Sequence, residues 1–392
     1  MTTAERRDQA AFLVFADDWG RHPSSCQHLV RRLLDRHQVV WVNTIGTRKP
    51  RFGLATLRRG LEKFGQWTRS AVPPSSPHPN LQVLNPMMWP HFSSPLARRL
   101  NRRLLLHQLT PVIRSLSAPV IAVTVIPLVA DLMGLLPVSR WAYYCVDDFS
   151  LWPGLDQPTL RQMEQRLVTE SDILIAASET LQEKLARMGR YSSLLTHGVD
   201  LGHWTSETGA ARLMQIESLA RPLVVFWGVI DRRMDFEFVN RLAADLPRGT
   251  IALVGPENDP DPRLFQSPRV VRIPPLPFEQ LPALARKADV LVMPYADTPV
   301  NQAIQPLKLK EYLATGRPTV VRDLPAVRPW ADCLDVATTS EEFSRLVRLR
   351  LADGLPNHQR LARARIVGES WDAKAAEFER LIMRPDEWRI AS

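Results

Sequence analysis

Short apolar runs alternate along the chain with segments in which apolar residues recur every three or four positions. The runs are five to seven residues long, which is typical of strands in parallel sheets covered on both faces. One helical segment carries Leu29, Val30 and Leu33 behind Ser24 and Ser25, either of which can cap it. The pattern predicts an α/β fold with parallel sheets. The predicted strands are residues 11–16, 38–44, 81–85, 119–125, 141–146, 172–178 and 192–196, and then 222–228, 250–255, 269–273, 289–295 and 317–321.

The alternation stops after Asp200 and resumes at Pro222. The segment between them lacks strand character and contains Thr, Ser and Gly, and a length of 392 residues favours two domains. A last helical pattern begins at Trp371. We therefore predict four parts: an N-terminal α/β domain over 1–200, a linker over 201–221, a C-terminal α/β domain over 222–370, and a final helix over 371–392.

Composition is that of a globular protein, with 45% hydrophobic and 23% charged residues. Three cysteines, Cys26, Cys145 and Cys333, are far apart and odd in number, so we expect neither a disulfide framework nor paired metal ligands. Residues 1–10 are polar, and no apolar stretch reaches the roughly 18 uncharged residues of a membrane span. We expect a cytoplasmic protein without a signal peptide.

Basic residues are concentrated near the beginning of the chain. The first 120 residues carry a charge balance of +12, against +9 for the whole chain. Segment 48–70 has seven basic residues and one acid, interleaved with Phe, Leu and Trp, and a second basic segment covers 96–109. A solvated insertion, a nucleic-acid contact and an anionic membrane contact are the three interpretations. No nucleic-acid-binding signature accompanies the charge, and the interleaved aromatic residues favour a peripheral membrane contact.

Segment 294–321 places a strand end, a polar loop and the start of a helix in succession. A helix that begins near Gln305 or Pro306 offers unpaired N–H groups and a positive dipole end, which suit a diphosphate. Lys308 adds a positive charge on the first turn. Glu311 lies three residues further on the same face, where its carboxylate could accept hydrogen bonds from ribose hydroxyls. An amphipathic helix with a solvated Lys308–Glu311 pair is the alternative interpretation.

The run PLKLKEYLATGRPTVV resembles the donor-site signature of family-4 retaining glycosyltransferases, in which Pro-x-Lys-x-x-Glu-Tyr-Leu-Ala precedes Gly-x-Pro. The preceding ARKADVLVMPY is similar to the strand before that signature. Other segments resemble motifs of the bacterial enzymes that build teichuronic acids and exopolysaccharides: YYCVDDF (143–149), THGVD (196–200), WGVIDRRMD (227–235) and ESWDAKAAEFERL (369–381). The resemblance implies a GT-B fold, in which two Rossmann-like domains face a cleft and a C-terminal helix crosses back to the first domain.

The same resemblance implies a function. The protein would move a hexose from a nucleoside diphosphate sugar to a glycan or lipid-linked acceptor, with retention and without a metal ion or other cofactor. Arg233 would pair with the donor diphosphate as charge develops on it, and Arg232 is the adjacent alternative. The other donor-binding candidates are Gly228, Asn301, Gln302, Lys308 and Glu311. Asp147, Asp148 and His197 are candidates to contact the acceptor or the reacting sugar, and a structural role is equally open for His197.

One position departs from the family pattern. Many members carry two glutamates separated by seven residues, and Ala303 occupies the first of these positions while Glu311 matches the second. Asp297, Asn301 or Gln302 would then contact the sugar hydroxyls. Two further functions stay open on this fold: a sugar-nucleotide epimerase, and a catalytically degenerate scaffold of a polysaccharide-synthesis complex. We interpret the Asp-x-Asp sequence at 259–261, a manganese motif in the other major transferase fold, as a solvated loop.

Overall fold

The computed structural model describes residues 10–20, 24–44, 78–152, 155–206 and 213–383. The basic segment 48–70 lies outside the described residues. The chain divides into two compact units, one of Met1–Thr196 with Lys374–Ser392 and the other of His197–Ala373. In the part of the chain that is described, no helix is long and apolar enough to span a membrane.

The first unit contains a seven-stranded sheet in which every neighbouring pair is parallel. The first strand, with sequence AFLVFA, is buried at all six positions because helices cover both faces of such a sheet. In spatial order the strands are β3 (Leu81–Leu84), β2 (Val39–Asn43), β1 (Ala11–Ala16), β4 (Val120–Thr124), β5 (Arg140–Cys145), β6 (Ile173–Ala176) and β7 (Ser193–Leu194).

Four described helices accompany this sheet. The Ser24 hydroxyl accepts a hydrogen bond from the Gln27 backbone N–H and caps the first of them, one of the two caps that the sequence predicted. Ser94 caps the second and Ser178 the fourth in the same way. The helices are α1 (Ser25–Leu33), α2 (Pro95–Arg114), α3 (Gln157–Glu170) and α4 (Glu179–Arg187).

The second unit repeats the design with a six-stranded parallel sheet and a small two-stranded sheet. Each of the twelve predicted runs overlaps a strand of one of the two large sheets. The strands that were not predicted are β9, β11 and β15, which are only two or three residues long. The large sheet has the order β12 (Val270–Ile273), β10 (Thr250–Val254), β8 (Leu223–Trp227), β13 (Val290–Met293), β14 (Thr319–Arg322), β15 (Asp335–Ala337), and β9 (Ile230–Asp231) pairs with β11 (Glu257–Asn258).

Eight described helices belong to the second unit. The predicted linker 201–221 falls within it and contains two short helices, of five and four residues. The helix predicted to begin near Gln305 or Pro306 begins at Leu307, because Pro306 occupies the N-cap with an extended backbone. The helices are α5 (Leu201–Thr205), α6 (Met214–Glu217), α7 (Phe236–Asp245), α8 (Leu281–Lys287), α9 (Pro299–Ala303), α10 (Leu307–Ala314), α11 (Ser340–Asp353) and α12 (Asn357–Ala362).

The last described helix, α13 (Trp371–Met383), begins in the second unit and continues in the first from Lys374. In the first unit the Phe378 ring packs against Tyr144, with ring centroids 5.9 Å apart. The Glu379 carboxylate lies 2.7 Å from His37 Nε2 and 2.5 Å from the Arg36 guanidinium. A segment more than 300 residues away in sequence therefore completes the core of the first unit.

Candidate functional site

The candidate site of the second unit lies at the carboxyl ends of β8 and β13. The sheet grows outward from β8 in one direction through β10 and β12, and in the other direction from β13 through β14 and β15. The carboxyl ends of β8 and β13 therefore form the switch point of a doubly wound sheet, which is where such folds bind ligands. The loops that follow these two strands are joined by a bridge between Met234 and Tyr295. Gly228 follows β8, Tyr295 follows β13, and α10 begins twelve residues after Tyr295 at Leu307.

Gly228 makes room for Lys308. Its φ of +138° lies in a region that side chains disfavour, and a Cβ there would be 2.7 Å from Lys308 Cε and 3.0 Å from Lys308 Nζ. The Gly228 carbonyl in turn approaches Gly255, which follows β10 and also has a positive φ. Only glycine at these two strand ends allows the backbone and the lysine side chain to pack so closely.

Two cationic side chains meet at the ring of Tyr295. Lys308 Nζ donates a hydrogen bond to the Tyr295 hydroxyl at 2.5 Å and lies 5.1 Å from the centre of its ring. The Arg233 guanidinium lies 5.8 Å from the same ring centre. The Tyr295 hydroxyl oxygen thus attracts Lys308, and the negative face of an aromatic ring attracts a cation such as Arg233. The buried Tyr295 therefore holds two positive charges near one strand end.

The two neighbouring arginines point in different directions. Asp231 accepts hydrogen bonds from Arg233 Nε at 3.0 and 3.1 Å, and its carboxylate lies 3.0 Å from Arg233 Nη2. Arg232 instead donates to the Asp259 carbonyl and is 56% exposed, against 17% for Arg233. The structure thus brings Arg233 to the ring that holds Lys308, and places Arg232 against the 259–261 loop.

Glu311 lies one helical turn beyond Lys308 in a desolvated environment. Burial raises the pKa of its carboxyl group, while a hydrogen bond from Trp227 Nε1 at 3.2 Å and the charge of Lys308 act in the opposite direction. Trp227 is the last residue of β8, and its ring packs edge-on against Tyr312, 4.3 Å between centroids. The carboxylate is therefore held at the same strand end as Gly228.

The N-terminus of α10 has no side-chain cap. Pro306 occupies the N-cap position and its side chain makes no capping hydrogen bond. The first backbone N–H groups of such a helix, together with the helix dipole, favour an anion. Because Lys308 lies in this first turn, a full positive charge adds to the dipole.

Asn301 and Gln302, both predicted to bind the donor, have intramolecular partners. The fully buried Asn301 amide donates hydrogen bonds to the Arg233 carbonyl at 2.9 Å and to the Ala296 carbonyl at 2.7 Å. It therefore ties the arginine loop to the loop after β13. The Gln302 amide donates a hydrogen bond to the Asp297 carboxylate at 2.5 Å, so these two side chains are joined. The next residue, Ala303, is buried.

His197 is buried at the first position of the second unit. Its carbonyl oxygen accepts a hydrogen bond from Lys310 Nζ, and the same ammonium forms a salt bridge with Glu369. The next residue, Gly198, packs so tightly on Trp371 that a Cβ would lie 2.8 Å from the indole ring. The backbone at His197 is thus fixed to α10 through Lys310.

Asp147 and Asp148 lie in the first unit, just after β5. Asp148 accepts hydrogen bonds from the Ser150 N–H and hydroxyl, and lies 2.9 Å from Lys184 Nζ on α4. Lys184 also forms a 2.5 Å ion pair with the deeply buried Glu164, which accepts a hydrogen bond from the Tyr143 hydroxyl. Asp148 is therefore part of a buried network. The half-buried Asp147 precedes it.

The Asp-x-Asp sequence at 259–261 has local partners. The Asp261 carboxylate caps the turn 262–265 and accepts a 2.7 Å hydrogen bond from the Arg263 guanidinium. These hydrogen bonds lower the pKa of Asp261 to about 2. The Asp261 carboxylate thus stabilises its own loop.

Sequence reasoning missed Tyr295, Asp231, Lys310 and Lys184. Tyr295 and Asp231 were visible inside the quoted motifs, because an aromatic residue at a strand end and an acid two residues before an arginine are both partners for cations. Lys310 and Lys184 resemble solvated helix residues in sequence. Their roles depend on carboxylates at Glu369 and Glu164 that no local pattern connects with them.

Comparison with solved structures identifies the fold. Sucrose-phosphate synthase from Thermosynechococcus elongatus matches with a TM-score of 0.69 over 98% of this chain and 100% of that chain, at 16% identity. HepE from Anabaena, solved in complex with UDP, matches with a TM-score of 0.59 over 97% of this chain and 98% of that chain, at 15% identity. The chain thus has the predicted GT-B fold of two Rossmann-like α/β parts.

A curated protein also resembles this chain in sequence. The chain is 25% identical over 256 residues to the putative teichuronic acid biosynthesis glycosyltransferase TuaH of Bacillus subtilis (strain 168). The match covers 63% of this chain and spans 62% of the length of TuaH. No protein-family model matches the chain. The resemblance to GT-B glycosyltransferases of polysaccharide biosynthesis that the motifs indicated is confirmed.

Proposed function

We propose that the protein is a glycosyltransferase that binds a nucleoside diphosphate sugar at the carboxyl ends of β8 and β13. The observation that carries the proposal is the placement of Lys308 and Arg233 around the Tyr295 ring, beside the uncapped start of α10. Lys308, Arg233 and a helix N-terminus offer a diphosphate positive charge and hydrogen-bond donors, with Asp231 holding Arg233 in place. UDP is the first candidate because HepE, which shares the fold, was solved with UDP.

In the reaction that we propose, these cations matter most while the bond between the sugar and the diphosphate breaks. The bond from the sugar C1 to the diphosphate oxygen is lost, the acceptor oxygen forms a new bond to C1, and negative charge accumulates on the leaving diphosphate. Lys308, Arg233 and the N–H groups of α10 would stabilise that charge, so that transfer proceeds without a divalent metal. The leaving phosphate oxygen would accept the proton of the acceptor hydroxyl, with retention of configuration.

Glu311 would bind the ribose. An ionised carboxylate accepts hydrogen bonds from both hydroxyls of a ribose, and the Trp227 indole keeps Glu311 at the strand end. For the sugar, we propose that the Asp297–Gln302 pair replaces the carboxylate that Ala303 lacks. Asn301 would act indirectly, because its amide holds the Arg233 loop.

We further propose that the acceptor is a glycan or a lipid-linked glycan and that the protein works in the cytoplasm at the inner face of the plasma membrane. TuaH, a putative teichuronic acid glycosyltransferase, supports a cell-surface polysaccharide. The concentration of positive charge in the first 120 residues, at 48–70 and 96–109, supports contact with anionic lipid. Asp147 and His197 stay candidates to contact the acceptor or the reacting sugar.

The first test is ligand-induced thermal stabilisation by UDP, GDP, ADP and CDP, each with and without EDTA. We expect one diphosphate, first UDP, to raise the melting temperature equally in both conditions, because a ligand that binds only the native state stabilises it. Glu311→Ala should lose the shift, and Asp353→Ala, which removes an exposed acid from α11, should keep it.

Three outcomes would count against parts of the proposal. A shift that EDTA abolishes would overturn metal independence. The absence of a shift with every diphosphate would overturn the donor site and favour a scaffold. Turnover of the matching sugar nucleotide to its epimer without an acceptor would replace the transferase by an epimerase.

A further inference from the structure

The short helix α5 lies in the segment predicted as a linker and brings a tryptophan to the end of β8. Trp204 is 4% exposed, and its ring stacks on Trp227 with centroids 5.3 Å apart and an angle of 11° between the planes. Stacked aromatic rings attract one another in addition to burying apolar area. Trp227 donates a hydrogen bond that Glu311 accepts, so Trp204 reaches a candidate ribose-binding carboxylate through one intermediate side chain.

The Trp227 indole is also fixed by a residue of α10. Tyr312 packs against the same ring, with centroids 4.3 Å apart and an interplanar angle of 70°. The Tyr312 hydroxyl accepts a hydrogen bond from the Trp227 backbone N–H at 3.2 Å. An indole carries its only donor on one edge, so a rotation about the Cβ–Cγ bond would turn Nε1 away from Glu311. Close packing against two rings opposes this rotation.

Trp204 is itself held in place by its neighbours. The Asp200 carboxylate accepts a hydrogen bond from the His203 N–H at 3.0 Å and so caps α5. The His203 ring meets Trp204 edge-on at 5.0 Å and stacks on Phe278 at 4.0 Å, almost parallel to it. Burial lowers the pKa of His203, so the ring that stacks is neutral at neutral pH. A capped helix and two further rings therefore set the position of Trp204.

Glu311 depends on this support because its surroundings disfavour its charge. Burial raises the pKa of the carboxyl group, and the hydrogen bond from Trp227 acts against that rise and directs the carboxylate. A carboxylate accepts from two adjacent ribose hydroxyls only when it is ionised and faces them. Lys308 and Arg233, in contrast, have Tyr295 and Asp231 as partners. Movement of Trp227 would therefore weaken ribose recognition more than diphosphate binding.

We propose that Trp204 is a positioning residue for ribose recognition. It holds the Trp227 indole in the orientation that fixes Glu311, and because it is buried it acts without contacting the nucleotide. The inference rests on the proposed donor site and adds to that site a side chain from segment 201–221. It makes the preference for a nucleotide with ribose hydroxyls over one without them depend on Trp204.

Isothermal titration calorimetry of the full chain with UDP and with dideoxy-UDP, which lacks both ribose hydroxyls, tests the proposal. Wild type should prefer UDP by about tenfold or more, because the hydrogen bonds to the carboxylate are lost with the hydroxyls. Trp204→Leu should reduce this preference by about fivefold and leave dideoxy-UDP affinity nearly unchanged. Trp204→Phe, which keeps a ring, should reduce it less. In a Glu311→Gln background, Trp204→Leu should change the preference no further, because both residues act through one carboxylate.

Phe343→Leu is the matched control. Phe343 is buried in the same unit, and its ring packs on Phe238 at 5.1 Å, so the substitution removes a core ring between α7 and α11. It should lower the melting temperature and leave the preference for UDP intact. Hydrogen exchange of the Trp227 indole N–H in the unliganded protein should be faster in Trp204→Leu than in Phe343→Leu, because only the former frees that ring.

Equal weakening of UDP and dideoxy-UDP binding by Trp204→Leu would overturn the proposal and leave Trp204 as a core residue. So would equal indole exchange in the Trp204 and Phe343 variants. If Trp204→Leu does not fold, Trp204→Phe decides by the same comparisons. A wild type that binds neither nucleotide would overturn the donor site itself, whereas a wild-type preference for UDP that survives the loss of Trp204 would overturn the role of Trp204 alone.

Discussion

Lys308 and Glu311 lie one helical turn apart at the same strand end, yet their surroundings act on them in opposite ways. The Lys308 ammonium donates a hydrogen bond to the Tyr295 hydroxyl and lies 5.4 Å from the centre of the Phe226 ring, and both contacts favour its charge. Glu311 is desolvated, so that its charged form is disfavoured and its pKa is raised. A ligand that brings negative phosphates to Lys308 and hydroxyl donors to Glu311 satisfies both residues.

We predict that Glu311→Gln removes a pH dependence of UDP binding. The raised pKa means that the carboxylate is protonated at a pH above the ordinary range of glutamate, so wild-type affinity should fall on acidification through that window. The glutamine retains an oxygen for Trp227 but does not titrate, and should bind about tenfold more weakly at neutral pH. Isothermal titration calorimetry over a pH series measures both effects.

The stability of the unliganded protein provides the complementary check. A carboxyl group whose folded-state pKa is above its unfolded value binds more protons in the folded state, so stability falls as the pH rises through that interval. Glu311→Gln should lack this fall. A wild type whose stability rises with pH in this window, relative to the variant, would contradict the burial of the carboxylate.

Gly228→Ala should abolish donor binding while the second unit still folds. The added Cβ meets Lys308 Cε at 2.7 Å at a positive φ, so either the backbone or Lys308 must move, at a cost of about 1–3 kcal/mol. Gly202→Ala on α5, where the nearest atom is 3.6 Å away, is the matched control. Thermal shift with UDP measures the effect, and an equal shift in both variants would contradict the assigned role of Gly228.

At the scale of elements, α10 has a different task on each face. Lys308 and Glu311 face the strand ends, and Lys310 on another face holds the His197 carbonyl and the Glu369 carboxylate. Two segments meet there, since the Val199 N–H bonds the Glu369 carbonyl at 2.9 Å and the Trp371 N–H bonds the Val199 carbonyl at 3.2 Å. The helix therefore connects the candidate donor groups with the backbone of His197.

Lys310→Met should loosen this junction. Lys310→Met removes the buried ammonium from its ion pair with Glu369, a kind of loss that typically costs about 3–5 kcal/mol. Hydrogen exchange of the Val199 and Trp371 amides should accelerate in Lys310→Met and recover in part in Lys310→Met/Glu369→Gln, because the second change removes the charge that the ammonium faced. Unchanged exchange at both amides in Lys310→Met would show that the ion pair does not hold the junction.

In the first unit, helix α4 likewise carries a lysine that pairs with carboxylates from other elements. Lys184 pairs with the buried Glu164 and with Asp148, so Lys184→Met should destabilise that unit by about 3–5 kcal/mol. The exposed Arg187 lies 3.9 Å from Glu183 on the same helix, and Arg187→Met should cost less than about 1 kcal/mol. Denaturant unfolding compares the two, and equal stabilities would contradict a supporting role for Lys184 under the Asp147–Asp148 loop.

At the scale of the whole molecule, the two units share one order for six sheet strands but divide the chain differently. The second is one continuous segment, whereas the first combines the N-terminal residues with those from Lys374 onward. The stability of the first unit consequently depends on side chains from the opposite end of the sequence, above all Phe378, which is buried against Tyr144.

Phe378→Ala should therefore destabilise the first unit selectively, by about 3–4 kcal/mol, through the loss of buried ring area and the cavity it leaves. Hydrogen exchange should increase in β5 and stay unchanged in β13, and UDP binding should persist. Arg380→Ala, two residues further on an exposed side of α13, is the control. An equal increase in both strands would show that the two units unfold together.

The sequence by itself determined the fold class and most of the strands. A strand buried on both faces must be apolar throughout, as β1 and β8 are, so the pattern remains readable without the partners of the strand. The motif around Lys308 and Glu311 was equally readable, because a helix start places residues three apart on one face whatever surrounds it. The shortest strands, β9 and β11, carried too few residues to form a pattern.

Tertiary structure alone decided which charges act together. The choice between Arg232 and Arg233 depended on the direction of each side chain from the loop, and only Arg233 lies against Tyr295. In the sequence, Lys310 and Lys184 look like solvated helix residues. In the structure they are buried and half-buried beside carboxylates that lie 59 and 20 residues away along the chain. Electrostatic energy depends on distance and desolvation in space, and neither quantity is a function of separation along the chain.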